Sequence, residues 1–152
     1  MQATETLAYK PCTIPDGTPD YPLQAPQLDP RLVKAFVTMA HANLEAVQQM
    51  LAAEPNLLNA SMDWADGDFE TALEAAGHMG RRDIAEFLLR KGARLNIFCA
   101  AMLGNLPFVK ACLEAYPSHK DSKGAHGFDL MHHAKAGGEA SISVVEHLEA
   151  LG

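Results

Sequence analysis

Residues 71–96 read TALEAAGHMGRRDIAEFLLRKGARLN and contain two short helical patterns on either side of a glycine. In the second pattern, Ile84, Phe87 and Leu88 have the i, i+3, i+4 spacing that places side chains on one helix face. Gly80 suits a tight turn between the helices, because glycine adopts a positive φ without a Cβ clash. One short helix cannot bury such an apolar stripe alone, so the segment predicts a helical hairpin that needs neighbours.

The same order of elements recurs in the chain after residue 30. Four segments each contain a short apolar helix, a small residue and a second helix, and the small residues are Ala42, Gly80, Gly104 and Gly137. Self-similarity at about 33 residues is typical of stacked-repeat proteins. This part of the chain is rich in Ala, and few of its segments alternate apolar and polar residues as a strand does. We predict an all-α body over residues 31–152, with repeats at about 31–61, 62–95, 96–120 and 121–152.

The unit at residues 71–96 resembles the ankyrin repeat, whose core reads approximately Thr-Pro-Leu-His-x-Ala-Ala-x-x-Gly, then Ile-Val-x-x-Leu-Leu, then Gly-Ala-x-x-Asn. The residues that carry the resemblance are Thr71, Leu73, Ala76, Gly80, Ile84, Leu88, Leu89, Gly92, Ala93 and Asn96. The unit departs from the family at Ala72, where the pattern has Pro, and at Glu74, where it has a turn-bracing His. The resemblance implies an ankyrin-like solenoid of about four stacked helix-turn-helix repeats, of the small type frequent in bacteria, that acts in protein–protein interaction.

Residues 1–30 have a different composition from the rest of the chain. They hold six of the nine prolines, namely Pro11, Pro15, Pro19, Pro22, Pro26 and Pro30. Each proline fixes φ, lacks an N–H donor and pushes the preceding residue toward extended backbone. We therefore predict a proline-rich arm that is extended or disordered. In an alternative, the arm occupies a groove of its own molecule or of a second copy, giving an autoinhibited module or a dimer.

Composition and charge restrict the classes of function. The chain has 152 residues, and its formal net charge of −7 repels nucleic-acid phosphates and anionic membranes. It has no apolar run long enough to cross a membrane and no apolar leader, so we expect a cytoplasmic protein, although a chain trimmed of a signal segment would look the same. Cys12, Cys99 and Cys112 form no CxxC pair, and no GxSxG, P-loop or GxGxxG motif occurs. We expect a non-enzymatic protein without a cofactor and with neutral or basic partners.

Residues 61–70, SMDWADGDFE, form an acidic and aromatic turn that we call the finger, because this connection projects from ankyrin-like stacks. Its acidic residues are Asp63, Asp66, Asp68 and Glu70, and its aromatic residues are Trp64 and Phe69. Trp is a frequent anchor at interfaces, so an exposed Trp64 ringed by carboxylates suits a basic partner peptide. In the alternative, Trp64 folds back onto the stack and the acids form a solvated loop.

A second candidate surface is the concave groove lined by the first helix of each repeat. The repeat register places six residues near this groove, namely Met39, His41, Glu74, His78, Met102 and His132. These residues either contact a partner, since Met side chains adapt to varied surfaces, or are ordinary packing. The predicted protein is a monomer or weak dimer that binds an unidentified protein. Its predicted partner-binding residues are Trp64, Asp63, Asp66, Asp68, Phe69, Glu74, His78, Met102 and His132.

Histidines are concentrated in residues 124–138, GAHGFDLMHHAKAGG. Asp129 and His133 have i, i+4 spacing, so both can lie on one helix face, with His126 and His132 close by. Such residues bind zinc or another transition metal, although their spacing matches no HExxH-type signature. In a competing interpretation, His133 hydrogen-bonds inside the stack and His132 faces the groove. Metal or small-molecule binding at these four residues is thus the alternative to the interaction module.

Overall fold

The computed structural model describes residues 12–152, which contain eight short α-helices and one small β-hairpin. The helices are α1 (Pro30–Met39), α2 (Leu44–Ala53), α3 (Ala72–His78), α4 (Arg82–Arg90), α5 (Ile97–Met102), α6 (Leu106–Ala115), α7 (Leu130–Ala136) and α8 (Ile142–Leu151). Strands β1 (Ser61–Asp63) and β2 (Phe69–Thr71) pair antiparallel. The predicted all-α character is confirmed for this part of the chain. None of its helices combines the length and hydropathy needed to cross a membrane.

Local sequence determines where most of the helices begin. An Asp, Asn or Thr side chain accepts a hydrogen bond from a first-turn N–H, as N-caps do. These caps are Asp29, Asn43, Thr71, Asn96, Asn105 and Asp129. At α3 the cap is reciprocal, because the Thr71 N–H donates back to Glu74 at 2.7 Å. The other oxygen of Glu74 accepts from Asn96 at 3.1 Å, so this residue links the starts of α3 and α5.

The odd-numbered helices form a row of successive contacts. Helix α3 contacts both α1 and α5, and α5 also contacts α7. Each even-numbered helix packs against the helix that precedes it. Completely buried side chains fill the space between the helices, among them Phe36, Ile84, Leu88, Val109 and Val144. The apolar stripes of the short helices are therefore buried by neighbouring pairs.

Two glycine turns bring separate helical pairs into close contact. Gly80 follows α3 with φ 68°, and Gly104 follows α5 with φ 73°. A Cβ atom at Gly80 would overlap the carbonyl oxygen of Ala136, and one at Gly104 would overlap that of Ala140. Both the left-handed backbone and the approach of another helical pair therefore require glycine at these turns.

The part of the predicted arm that the structure describes is residues 12–29. It forms neither helix nor strand, and its residues are exposed except for Leu28, which packs against the core. Residues 1–11 of the predicted arm lie outside the described residues. The chain therefore enters its helical body at Pro30, directly after the cap residue Asp29.

Cys99 and Cys12 are expected to differ strongly in reactivity toward thiol reagents. Cys99 is buried in α5, and this burial raises the pKa of its thiol to about 12, whereas Cys12 is exposed. Since the thiolate is the reactive form, a disulfide reagent at mildly alkaline pH should modify Cys12 in the native protein and Cys99 only after denaturation. Peptide mass spectrometry identifies the labelled residue, and rapid labelling of native Cys99 would contradict its burial.

Candidate metal centre

Three imidazoles and one carboxylate meet where the finger joins the row of odd-numbered helices. They belong to His41, Glu70, His78 and His126, and one ligand atom from each lies within 4.8 Å of the others. The Nε2 atoms of His78, His126 and His41 lie 2.8, 3.2 and 3.5 Å from the Glu70 carboxylate. Glu70 is completely buried. All three imidazoles therefore direct Nε2 at a single buried carboxylate.

The four residues come from separate segments of the chain. His41 follows the end of α1 and His78 is the last residue of α3, so similar positions in two successive helical pairs supply both rings. Glu70 is the middle residue of β2, and strand alternation turns it inward while Phe69 faces solvent. His126 lies in the loop that precedes α7. The centre therefore exists only when these four segments are packed together.

Acceptor oxygens hold the outer ring nitrogens of two of these histidines. His41 Nδ1 lies 3.0 Å from the carbonyl oxygen of Val37, and His126 Nδ1 lies 2.7 Å from Oδ2 of Asp68. These oxygens only accept, so Nδ1 donates in both cases and the Nε2 atom of the neutral ring carries a lone pair. Histidine ligands in metal sites are oriented in this way, by donation from the distal nitrogen to a carbonyl or carboxylate.

The electrostatics of the centre favour an added cation. Burial opposes ionisation of Glu70, but hydrogen bonds from His78 and Trp64 outweigh it, so the pKa of this carboxyl lies below its usual value. The indole Nε1 of Trp64 donates to Glu70 Oε2 at 2.6 Å. An Nε2 lone pair that faces this carboxylate is repelled by it, and a metal ion placed between the two groups turns the repulsion into attraction.

His126 combines a perturbed pKa with a strained backbone. Partial burial opposes protonation of its ring, but the Asp68 hydrogen bond and the Glu70 charge outweigh burial and raise the pKa. Its φ of 57° and ψ of 19° are left-handed, which costs a non-glycine residue on the order of 1–3 kcal/mol. Its N–H donates to Asp68 Oδ1 at 2.8 Å. Contacts with the finger therefore hold this residue in a conformation that it rarely adopts.

Of the metal candidates predicted from the sequence, the centre includes only His126. The Asp129 carboxylate accepts the N–H of His132 at 2.7 Å and so caps α7. His133 is buried and donates from Nδ1 to the carbonyl of Asp129 at 2.7 Å, while His132 donates from Nε2 to the carbonyl of His78 at 3.0 Å. The structure therefore does not bring His126, Asp129, His132 and His133 together as one site, because the last three groups make backbone contacts.

The finger is folded back onto the helices. Trp64 is half-buried through its contact with Glu70, and the half-buried Asp68 contacts His126. Glu70 is not one of the solvated acids that the sequence indicates, because the surrounding imidazole and indole groups enclose it completely. These finger residues therefore face the His and Glu side chains of the candidate metal centre rather than solvent.

Other finger residues remain at the surface. Phe69 is 58% exposed on the outward side of β2. Asp63 is exposed and accepts the N–H of Gly67 at 3.1 Å, which closes the turn, and Asp66 lies at the exposed tip. The outer side of the finger therefore presents one aromatic ring beside two acidic residues.

The predicted groove residues divide between the centre, the helix ends and the core. His78 belongs to the candidate metal centre, and Glu74 is half-buried in the cap of α3. His132 stacks on Phe128 with ring centroids 4.0 Å apart. Met102 is completely buried, so the prediction that it lines a partner-binding surface is wrong: no partner reaches it while the helices stay packed.

The centre has the donor set and the access that a metal ion requires. Imidazole nitrogen and carboxylate oxygen are ligands of zinc and of neighbouring transition metals, and four of them match the usual coordination number of zinc. The side chains of His41 and His126 are 25% and 29% exposed, so an ion can reach the centre from their side.

Sequence reasoning placed two of the four residues near each other. The predicted repeat register places His41 and His78 near one groove, and both lie at or just after the end of the first helix of a pair. Glu70 was grouped with the acids of the finger and His126 with the histidines of α7. The signal that was available for Glu70 is its position directly before the cap residue Thr71, where a short strand alternates inward and outward residues.

Comparison with protein-family models gives no match, and no curated protein is similar to this chain in sequence. The convergence of His41, Glu70, His78 and His126 is therefore the clearest functional feature of residues 12–152.

Proposed function

We propose that this protein binds a divalent transition-metal ion of the zinc class through His41, Glu70, His78 and His126. One observation carries the proposal: three Nε2 atoms converge on one completely buried carboxylate, and two of these rings already donate from Nδ1 to outer acceptors. This arrangement orients the lone pairs inward, as metal ligands require. A divalent ion at their centre neutralises Glu70 and removes the repulsion between its oxygens and the ring nitrogens.

The competing source of positive charge is protonation of the histidines. Two imidazolium rings beside one carboxylate leave an excess positive charge, as a divalent ion does. In the protonated centre, however, this charge is divided between two rings, and each ring must lose its hydration. A metal ion instead places its charge at the point toward which all four groups are directed, and nitrogen donors favour zinc over the harder ion Mg²⁺. Titration with Zn²⁺ and with Mg²⁺ distinguishes a centre that binds a metal ion from a centre whose histidines are protonated.

Calorimetric titration of the chelator-treated full chain with Zn²⁺ tests the proposal. We expect one Zn²⁺ ion per chain and no binding of Mg²⁺, which prefers oxygen ligands. His78→Ala should lose most of the Zn²⁺ affinity, because it removes the most buried of the three rings. His119→Ala is the matched control, since His119 is exposed and lies outside the centre. Absence of binding, or equal losses in the two variants, would refute the metal centre.

We propose that the helical pairs form an ankyrin-like solenoid of four repeats. The successive contacts from α1 to α7, the reciprocal cap at Thr71 and the glycine turns at Gly80 and Gly104 support this architecture. The hairpin that precedes α3 occupies the place of the projecting finger in such stacks. In this arrangement the metal centre lies where the finger meets the first helices of the repeats.

A second candidate function is binding of a basic protein segment by the outer side of the finger. The observation that favours it is the exposure of Phe69 beside Asp63 and Asp66, on a chain with a net charge of −7. An aromatic ring supplies apolar contact area, and the acids select basic partners. Phe69→Ser should abolish binding to an array of short basic peptides without changing the melting temperature. Unchanged binding by this variant would exclude the finger as the interface.

A further inference from the structure

We infer that the metal ion acts as a clamp that fastens the finger and the loop before α7 to the helices, so that metal loading controls the accessibility of the finger tip. This inference rests on the proposed metal site and adds a regulatory consequence to it. The finger tip is defined here as residues 64–68, the part of the finger between β1 and β2.

The ligands connect parts of the chain that are held to the body in different ways. His41 follows α1 and His78 ends α3, so both are held by helices of the packed row. Glu70 belongs to the finger, and His126 belongs to a short loop. Coordination of one ion by all four therefore ties two connecting segments to the helices and to each other.

Two residues of the finger tip form hydrogen bonds with the proposed metal ligands Glu70 and His126. The indole N–H of Trp64 donates to Glu70, and the Asp68 carboxylate accepts both the backbone N–H and Nδ1–H of His126. The two bonds between Asp68 and His126 join the finger to the loop, so they require both segments to keep their positions. The ion supplies an attraction between the Glu70 charge and the Nε2 atoms of His41 and His126, and this attraction is lost when the ion leaves.

The backbone conformation of the loop before α7 favours opening. His126 is held in a left-handed conformation that a histidine rarely adopts, and Gly127 follows it with φ 74°. The neighbouring residues anchor the loop by apolar packing, because Ala125 is buried and Phe128 stacks on His132. Opening is therefore confined to the tip of the loop, where the relaxation of His126 favours the released state.

Two built-in reporters lie at the clamp. Trp64 is the only tryptophan in the sequence, so the intrinsic tryptophan fluorescence of the protein reports on the finger tip alone. The backbone N–H of His126 reports on the loop, because its acceptor is the Asp68 side chain of the finger. The N–H of Phe108 is a matched control, since it also donates to a side-chain oxygen, that of Asn105 at the start of α6.

The experiment compares the full chain with and without Zn²⁺ by amide hydrogen exchange and by acrylamide quenching of Trp64. If opening requires release of the ion, a Zn²⁺ concentration 100 times the Kd should slow exchange at His126 by about 100-fold. Exchange at Phe108 should change far less, and quenching of Trp64 should fall. In His126→Asn, which tolerates the left-handed backbone, Zn²⁺ should no longer slow exchange at position 126 more than at Phe108.

The outcomes separate the clamp from the metal site. Calorimetric binding of Zn²⁺ with unchanged exchange at His126 and unchanged quenching of Trp64 would overturn the clamp and leave the metal site standing. Equal slowing at His126 and Phe108 would also overturn it, because the ion would then stabilise the whole chain without a local effect. Absence of Zn²⁺ binding would overturn both the site and the clamp.

Discussion

Glu70→Gln is expected to lower the affinity for Zn²⁺ by at least about 100-fold, since loss even of a group that only orients a ligand costs 10–100-fold. The carboxylate contributes the negative charge at the centre, and an amide oxygen is a far weaker ligand. Calorimetric titration measures the loss. The two side chains have nearly the same shape, and the amide oxygen can still accept the Trp64 N–H, so the helical content in circular dichroism should be retained.

Glu114→Gln is the control for the change of charge. Glu114 is exposed on α6 and lies outside the centre, so its neutralisation alters the net charge by the same amount without removing a ligand. We expect its Zn²⁺ affinity to equal that of the unmodified chain. Similar losses in both variants would mean that Zn²⁺ is attracted by the overall negative charge and is not coordinated by Glu70.

Gly104→Ala is expected to destabilise the protein by about 2–5 kcal/mol, the sum of a left-handed backbone penalty and of overpacking. The new Cβ would overlap the carbonyl oxygen of Ala140, which belongs to the next helical pair. Backbone atoms cannot rotate away as a flexible side chain can, so the two pairs must separate. Urea denaturation with a fixed slope gives the change in the free energy of unfolding.

Gly92→Ala separates the two contributions to this loss. Gly92 also has a positive φ, of 96°, but no atom lies within 4 Å of the position of an added Cβ. We expect a loss of about 1–2 kcal/mol from the backbone alone. If both variants lose the same free energy of unfolding, the close approach of the helical pairs at Gly104 does not contribute to stability. That result would contradict the side-by-side packing of these pairs.

Much of the fold could be predicted from residues that act on their immediate neighbours. Thr71 and Glu74 cap the same helix, Gly80 turns the chain, and Ile84 and Leu88 lie on one apolar face. The β-hairpin of the finger was not predicted, because its strands are too short to show an alternating pattern. The sequence left Met102 open between a groove contact and ordinary packing, because repeat register alone does not distinguish a groove from the packed side of a short helix.

The candidate metal centre could be predicted only in part from the sequence. The predicted repeat register placed His41 and His78 near one groove, and both lie at or just after the end of a first helix. The histidines of α7 form the denser cluster in the sequence, yet His132 and His133 donate to backbone carbonyls. Density along the chain is a poor guide here, because a helix directs adjacent side chains to different faces.

The sequence by itself determined the helical pairs, their caps and their turns, because those features depend on contacts within a few residues. Only the tertiary structure decided that Glu70 is buried and that His41, His78 and His126 surround it. The reason is physical: the four ligands lie on segments far apart in the chain, and their distances are set by how the helical pairs and the finger pack. The sequence alone suggests that Glu70 is a surface acid. Packing of the chain removes water from its carboxylate and places imidazole groups around it.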